Sequence, residues 1–274
     1  MIHPAPSQNP TPVIEVNNLV TYYGERRILD GIDLRIDSGE IMVVMGGSGS
    51  GKSTLLRHLL SLNRPAAGSI RLFGEEVNRL SARQLHRLRQ RIGVSFQGGA
   101  LFNSLNVEEN VAFPLREHTR LDDNTIRIMA RMKLEVVNLA GFEKLMPSQL
   151  SGGMIKRAAL ARAIVMDPQL LFFDEPSAGL DPVVSAELDE LILRLRDAMG
   201  VTIVVVTHEL ESAFRIADRI TVLDKGRILI TGTTREVRES DNTRVQNLLN
   251  RRTEDLPVDA DDYLQRLTDD LAGL

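Results

Sequence analysis

Cysteine is absent from the 274 residues of this chain, and aromatic residues make up only 4%. The absence of cysteine excludes a disulfide framework and a thiolate nucleophile. The net charge is −4, so no overall basic field indicates nucleic acid as a partner. No apolar run approaches the roughly 18 residues that a membrane-spanning helix needs, so we expect that the chain does not cross a membrane.

The remaining composition is that of a soluble globular protein, with 43% hydrophobic and 26% charged residues. This length predicts one large α/β domain, or one domain with an inserted subdomain, that can bury a core. Residues 1–12, MIHPAPSQNPTP, are proline-rich and lack the basic and apolar segments of a signal peptide. We predict that they form a disordered leader, followed by strands at residues 13–16 and 28–36.

The stretch IMVVMGGSGSGKSTLL, residues 41–56, predicts a phosphate-binding loop between a buried strand and a helix. Its glycines let consecutive backbone N–H groups approach a phosphate, which the helix dipole also favours. We predict that Lys52 reaches the β- and γ-phosphates of a nucleoside triphosphate and that the Ser53 hydroxyl binds Mg²⁺. The loop residues that fit G-x-x-x-x-G-K-[ST] are Gly46, Gly47, Ser48, Gly49, Ser50, Gly51, Lys52 and Ser53.

A second apolar strand, residues 170–173, ends on two adjacent carboxylates. Asp174 is the candidate Mg²⁺ partner and Glu175 the candidate general base. A third apolar strand, residues 202–206, is followed by His208. Because ligands lie at the carboxyl edge of open parallel sheets, we expect these side chains to meet beside the phosphate-binding loop.

Residues 150–154, LSGGM, predict a second anion-binding helix start. Ser151 stands where an N-cap would be, and Gly152 and Gly153 expose further N–H groups before a helix over residues 155–165. This second site could serve a nucleotide held by another copy of the chain. Asp181 is likewise predicted to cap a helix that begins with a proline and ends at a glycine, residue 200.

Large apolar residues crowd the stretch from 98 to 115, which we interpret as irregular. It is either a docking surface for a partner or a locally buried loop. A helix is predicted over residues 121–139, so residues 98–165 would form a helical insertion. Near the N-terminus, Tyr22 and Tyr23 precede Gly24. They could offer a stacking face for a base, or they could be ordinary edge-strand aromatics.

Taken in order along the chain, these motifs resemble those of an ABC-type ATPase, the nucleotide-binding domain of an ABC transporter. They are GGSGSGKST, Gln97 after a strand, LSGGM, LLFFDE, SAGLDP and His208. The resemblance covers about residues 13–240 and implies ATP and Mg²⁺ as cofactors. It also implies a P-loop NTPase fold of the α/β class. That fold has a RecA-like parallel-sheet core, an N-terminal antiparallel β subdomain and a helical subdomain at about 98–165.

The resemblance also implies a role for each matching residue. The γ-phosphate switch would be His208, and Gln97 would sense both Mg²⁺ and the transporter. The other implied roles are adenine stacking by Tyr23, phosphate-loop contacts by Lys52, Ser53 and Thr54, the metal and base positions at Asp174 and Glu175, the cap on the partner subunit's ATP at Ser151, Gly152 and Gly153, and the link between the two sites at Asp181. Met154 departs from the family's usual glutamine, and a thioether is a poor hydrogen-bond partner.

Residues 95–119 and 132–154 are closely similar to the ATPase subunits of Mla/Mce-type lipid transporters. That resemblance implies a homodimer at the cytoplasmic face of the inner membrane, where it would drive phospholipid movement between inner and outer membranes. Implied partners are integral-membrane permease subunits, a periplasmic MCE-type lipid-binding ring and a small cytoplasmic STAS-domain subunit, with no nucleic acid. Residues 241–274 would extend beyond the common domain, with Tyr263, Leu264, Leu267 and Leu271 at helical spacing. This extension either reaches across to the other ATPase subunit or is a frayed acidic tail.

Two other functions use the same chemistry. One is the ATPase of an importer for amino acids or other small solutes, against which only the docking stretch and the C-terminal tail argue. The other is a soluble ABC protein of DNA repair, chromosome structure or translation. That class normally has tandem cassettes or long coiled-coil insertions, and the sequence shows neither.

Overall fold

The computed structural model describes residues 12–252. Except for Pro12, the predicted leader lies outside the described residues, as does the helical spacing predicted around Tyr263. Strands in the described part are β1 (Pro12–Tyr23), β2 (Arg26–Asp37), β3 (Ile41–Met45), β4 (Ala67–Leu72), β5 (Glu75–Glu76), β6 (Ile92–Ser95), β7 (Leu170–Asp174), β8 (Thr202–Thr207), β9 (Arg219–Asp224) and β10 (Arg227–Thr233). Helices are α1 (Lys52–Leu59), α2 (Ala82–Arg89), α3 (Val107–His118), α4 (Asp123–Val136), α5 (Gly152–Ile164), α6 (Pro182–Met199), α7 (Leu210–Ile216), α8 (Thr234–Arg238) and α9 (Thr243–Leu249).

The strands form two sheets, as the predicted fold requires. One is antiparallel, with the order β2-β1-β4-β5. The other has the order β10-β9-β3-β8-β7-β6. In this sheet β10 pairs antiparallel with β9, and the other pairs are parallel. Strand β3 lies inside this second sheet between β8 and β9, and each of its side chains is buried. Continuous apolar runs such as IMVVM are what strands covered on both faces require.

Alternate residues of β3 enter different cores, because successive side chains of a strand point to opposite faces. Val43 and Met45 pack in a cluster with α3–α7, whereas Met42 and Val44 pack with α1 and the antiparallel sheet. The parallel sheet is therefore covered on both sides. Its carboxyl edge, where β3, β6, β7 and β8 end, is left for the loops that carry the candidate site residues.

The interpretation of residues 98–115 as irregular throughout is wrong, because α3 begins at Val107. Asn106 accepts from the Glu109 amide, and the Glu109 carboxylate accepts from the Asn106 amide. This reciprocal cap is a helix start signal that the N-x-x-E pattern did supply. Val107 is buried, while Phe102 remains 44% exposed, so the stretch divides into a core helix and an exposed loop.

Helices α3, α4 and α5 lie between β6 and β7 in the chain and pack against one another. We retain residues 98–165 as the proposed boundaries of a helical subdomain. Two predicted helix caps, one inside this segment and one after it, agree with the structure. The Ser151 hydroxyl accepts from the Met154 amide at the start of α5, and Asp181 caps α6, which ends at Gly200 in a left-handed conformation.

Candidate nucleotide-binding and catalytic site

The glycine-rich loop connects the end of β3 to the start of α1, as its sequence predicts. Gly51 caps α1 with φ 109°, a conformation that other L-residues rarely adopt. At Gly46 a Cβ would overlap the carbonyl oxygen of Leu223 and come within 2.7 Å of Ser50 Oγ. The loop is therefore bent too tightly for side chains at these points, and loops of this kind let backbone N–H groups approach an anion.

Two side chains inside the loop mark it as a polar site. Lys52 Nζ donates to the carbonyl oxygens of Gly46 at 2.8 Å and Gly47 at 2.9 Å. Burial lowers the pKa of Lys52, and the charges of Glu175 and Asp174 act in the opposite direction. Ser50 Oγ is buried without a hydrogen-bond partner in the structure. A partly buried cation and a buried hydroxyl without a partner, both in a glycine cradle, suit a phosphate group.

Glu175 follows β7 with its backbone in the left-handed region, at φ 48°. Its amide donates to Val206 O at 2.8 Å, across the parallel pair of β7 and β8. The carboxylate Oε2 accepts from Thr207 Oγ1 at 3.0 Å and from the His208 amide at 3.3 Å, and His208 Nδ1 lies 2.9 Å away. The predicted base and the predicted switch histidine are thus in direct contact.

Asp174, the last residue of β7, is the other predicted carboxylate. Burial and the neighbouring charge of Glu175 raise the pKa of Asp174, while Lys156, Arg57 and Lys52 lower it. Lys52 and both carboxylates therefore lie close enough to interact electrostatically. The structure brings these three residues and His208 to one edge of the sheet.

Two further predicted residues lie at the rim of this edge. Tyr23 is half-exposed and lines a cavity of about 270 Å³ together with Arg26, Ile28 and residues 49–54. Hydrogen bonds from Thr54 and Arg57 lower the pKa of the Tyr23 hydroxyl. Gln97 follows β6 and is exposed, and its backbone carbonyl accepts from Lys156 Nζ.

The predicted signature residues lie elsewhere on the chain. Ser151, Gly152 and Gly153 line a cavity of about 400 Å³ with Gly179 and Asp181, and no residue lines both this cavity and the one at Tyr23. A Cβ at Gly153 would lie 2.8 Å from Val184 Cγ1, so α5 and α6 approach closely there. Asp181 Oδ1 accepts from the Val183 and Val184 amides. The two predicted anion-binding sites therefore lie in separate cavities of the chain.

Met154 stands just inside this second site. Its side chain packs against the apolar core, and its amide donates to Ser151 Oγ at 3.3 Å. The thioether therefore fills space at the base of the signature. The Ser151 hydroxyl and the helix start supply the polar groups.

Sequence reasoning missed Thr207 and Lys156. Thr207 looked like the polar end of an apolar strand, yet its hydroxyl donates to Glu175. Lys156 follows LSGGM in a helix, where a lysine usually faces solvent, yet it is buried against the carbonyl oxygens of Gln97 and Glu175. No local signal singles out Lys156, because the same helix carries two other cationic residues, Arg157 and Arg162.

The site suits magnesium bound jointly with phosphates rather than a metal held by the protein alone. Among residues 12–252 no cluster of three or more histidine, cysteine or acidic side chains could hold a metal ion. Ser53, Asp174 and Gln97 offer the oxygen donors that Mg²⁺ prefers when substrate phosphates supply the rest. Within the same residues no helix is long and apolar enough to cross a membrane.

The sequence of the chain is similar to a known protein family and to known proteins. The family described as "ABC transporter" matches residues 29–178. The intermembrane phospholipid transport system ATP-binding protein MlaF of Haemophilus influenzae is 43% identical, over 93% of this chain and 98% of that protein. The probable ribonucleotide transport ATP-binding protein mkl of Mycobacterium tuberculosis is also 43% identical, over 87% of this chain and 67% of that protein.

Solved structures agree. A dimeric structure of a post-hydrolysis state of the ATP-binding cassette MJ0796, bound to ADP and Pi, superposes with a TM-score of 0.74. It is 31% identical and covers 81% of this chain and 98% of that one.

Proposed function

We propose that this chain, which belongs to the ABC transporter ATPases, powers phospholipid movement between inner and outer membranes. It would thereby maintain outer-membrane lipid asymmetry. ATP binding and hydrolysis come with that family. The observation that carries the lipid assignment is the near full-length similarity to MlaF, which spans 98% of that protein. The mycobacterial relatives named for ribonucleotide transport match 67% of their own length.

In the proposed reaction the phosphates of ATP lie along residues 46–54 and the adenine stacks on Tyr23. Lys52 turns from the carbonyls of Gly46 and Gly47 towards the β- and γ-phosphates. Ser53, Asp174 and Gln97 would hold Mg²⁺, which when bound would neutralise charge on the phosphate oxygens.

Glu175 polarises the attacking water, because its carboxylate is already oriented by Thr207 and His208. His208 and Lys52 stabilise the charge that develops on the transferred phosphoryl group. Each of these residues lies at the one sheet edge described above, which supports a single reaction centre.

Two copies of the chain are proposed to form the working dimer. In one chain the signature residues 151–153 line a different cavity from the phosphate-binding loop. We infer that they close over the γ-phosphate held by the partner, with Asp181 in the loop between the two sites. The similar dimeric cassette, bound to ADP and Pi, supports this arrangement. ATP then favours the closed dimer, because only that state makes both sets of contacts.

A membrane permease is the proposed partner of a groove beside Gln97. This groove has a volume of about 530 Å³ and an apolar floor with basic and imidazole side chains at its margin. Its lining includes Phe96, Phe102, Phe113, His86, His118 and Arg162. Two phenylalanines exposed by about two-fifths, Phe96 and Phe102, support a docking surface. The chain would then sit at the cytoplasmic face of the inner membrane.

The lipid assignment implies further partners. An MCE-type ring would receive or deliver the phospholipid in the periplasm, and a STAS-domain subunit would bind the ATPase. Ile128, Met132 and Val136 form an exposed apolar stripe along α4, which supports a second protein partner away from the groove. Residues 241–274 are proposed to reach the other ATPase subunit. An importer of small solutes stays the alternative, since the name of the mkl relative refers to ribonucleotides.

Glu175→Gln tests the chemistry. We expect this variant to bind ATP and to remain a closed dimer on size-exclusion chromatography with light scattering, while turnover falls at least about 100-fold. Glu239→Gln, on the surface beside Arg235, is the matched control and should behave like the wild type. Hydrolysis by Glu175→Gln at the wild-type rate would remove Glu175 as the base.

The transport assignment is tested by reconstituting the chain with its copurified permease in phospholipid vesicles. We expect ATP to drive transfer of a labelled phospholipid, and Glu175→Gln to abolish that transfer. ATP hydrolysis that responds to amino acids or ribonucleotides but not to phospholipid would contradict the lipid assignment and favour the importer.

A further inference from the structure

Lys156, in the second turn of α5, is a buried lysine that the proposed chemistry does not use. Its side chain is only 8% exposed. Nζ donates to the carbonyl oxygen of Gln97 and, at 3.2 Å, to that of Glu175. Burial lowers the pKa of Lys156, while the carboxylates of Asp174 and Glu175 act to raise it. One ammonium thus joins the loop after β6 to the end of β7.

Arg162, further along the same helix, holds the same loop. Its Nη1 donates to Ala100 O at 2.7 Å, and its Nη2 donates to Gly99 O at 2.8 Å. We name residues 97–100 the docking loop. Helix α5 therefore binds three carbonyl groups of the docking loop through two cationic side chains.

Close packing adds to these hydrogen bonds. Gly99 has φ +73°, and a Cβ there would lie 2.6 Å from Ile155 Cγ2. The docking loop is therefore pressed directly against α5. Ala100 also lines the groove proposed for the permease, together with Phe96, Phe102 and, from α5 itself, Arg162. A shift of α5 must move this loop or break its contacts.

The backbone of Glu175 depends on similar support. A non-glycine residue at φ 48° is strained and persists only where its surroundings hold it. The Val206 carbonyl holds the Glu175 amide, and the Lys156 ammonium holds the Glu175 carbonyl. Without the ammonium, the carbonyls of Gln97 and Glu175, which belong to separate segments, would lose a charged donor.

We propose that Lys156 is a positioning residue that fixes Glu175 and the docking loop to α5. When Ser151, at the start of α5, closes over the partner's ATP, the base and the permease groove move with the same helix. Lys156 thereby links three events: trans closure, placement of the base and movement of the groove. The inference rests on the proposed function for the roles of Glu175 and Ser151, and on the contacts of α5 for the link between them.

Lys156→Met in the full-length chain tests the proposal, since methionine keeps the unbranched apolar part of the side chain and removes the donor. We expect kcat for ATP to fall at least about tenfold while KM stays within about threefold, because the base is misplaced and the phosphate loop is intact. Lys156→Arg, which restores a cationic donor, should recover most of kcat. Lys144→Met is the matched control, since Lys144 is exposed and pairs with Glu108.

Thermal unfolding of each variant separates positioning from a merely structural role, which would lower Tm without lowering kcat in the folded protein. Should Lys156→Met not fold, Lys156→Leu replaces it with the same expectations, because leucine also lacks a donor. A kcat within about twofold of the wild type overturns the proposal. Glu175→Gln, assayed alongside, distinguishes the two failures. If it is inactive and Lys156→Met is normal, this inference alone fails, whereas an active Glu175→Gln removes the proposed base.

Discussion

Thr207→Val should slow ATP hydrolysis without preventing ATP binding. Thr207 is fully buried, and its hydroxyl donates to Glu175 Oε2 at 3.0 Å while accepting from the Glu209 amide at 3.0 Å. Valine has the same shape and can make neither bond. The carboxylate of the proposed base would keep the His208 amide and imidazole as partners but would lose the hydrogen bond from the Thr207 hydroxyl.

The magnitude follows from the charge on the acceptor. A hydrogen bond to a charged group contributes about 1.5–3 kcal/mol. If this whole amount is lost from the positioning of Glu175, kcat falls by roughly 10- to 150-fold, since each ~1.4 kcal/mol is a factor of ten. ATP affinity should change little, because Thr207 is not among the residues of the phosphate-binding loop.

Thr221→Val is the matched control. Thr221 is equally buried on β9, which β3 separates from β8, and its hydroxyl bonds Thr231 Oγ1 at 3.0 Å, away from Asp174 and Glu175. Both variants should lose about 1 kcal/mol of stability in urea unfolding. Only Thr207→Val should lose kcat in a steady-state ATPase assay. Equal kcat values in the two variants would refute the argument that Thr207 orients the base.

Three other expectations follow from the structure. Gly46→Ala should weaken ATP binding by about tenfold or more in calorimetry. The reason is that the added Cβ overlaps the Leu223 carbonyl, and such overpacking costs ~1–3 kcal/mol. An unchanged Kd would contradict the inference that the loop has no room for a side chain at Gly46. Ser151→Ala and Ser81→Ala should each cost about 1 kcal/mol through loss of an N-cap, but only Ser151→Ala should lower kcat, and equal rates would remove the trans role. Burial lowers the pKa of His58, so the unfolded chain binds a proton that the folded chain resists, and stability should fall as pH drops below the ordinary histidine pKa. This loss of stability, up to about 1.4 kcal/mol per pH unit, should be smaller in His58→Gln. The same pH dependence of Tm in the variant and the wild type would contradict the role of His58.

Much of the catalytic edge could be predicted from the sequence, because its residues follow short apolar runs. The runs before Gly46, Asp174 and His208 each predict a buried parallel strand, and the ends of such strands meet. The structure places these residues together. The Glu175 carboxylate accepts from the His208 amide and contacts His208 Nδ1. The N-caps at Ser151 and Asp181 could also be predicted, since the positions of these residues before the helices specify their hydrogen bonds.

Other features depend on tertiary contacts that no local pattern encodes. Lys156 reads as a solvated helical residue, and only the approach of two carbonyl-bearing segments explains its burial. Thr207 reads as a strand end until the carboxylate beside it is known. The start of α3 at Val107 differs from these cases, since the capping pair Asn106 and Glu109 encodes it locally among large apolar residues.

Native mass spectrometry of the chain, purified in mild detergent from its host, tests the central claim most directly. We predict two copies of the chain bound to a multi-pass permease and a lipid-binding ring protein, with phospholipid retained in the complex. Two copies with an unrelated permease and a receptor for a soluble solute would leave the ATPase in place but contradict its assignment to phospholipid transport.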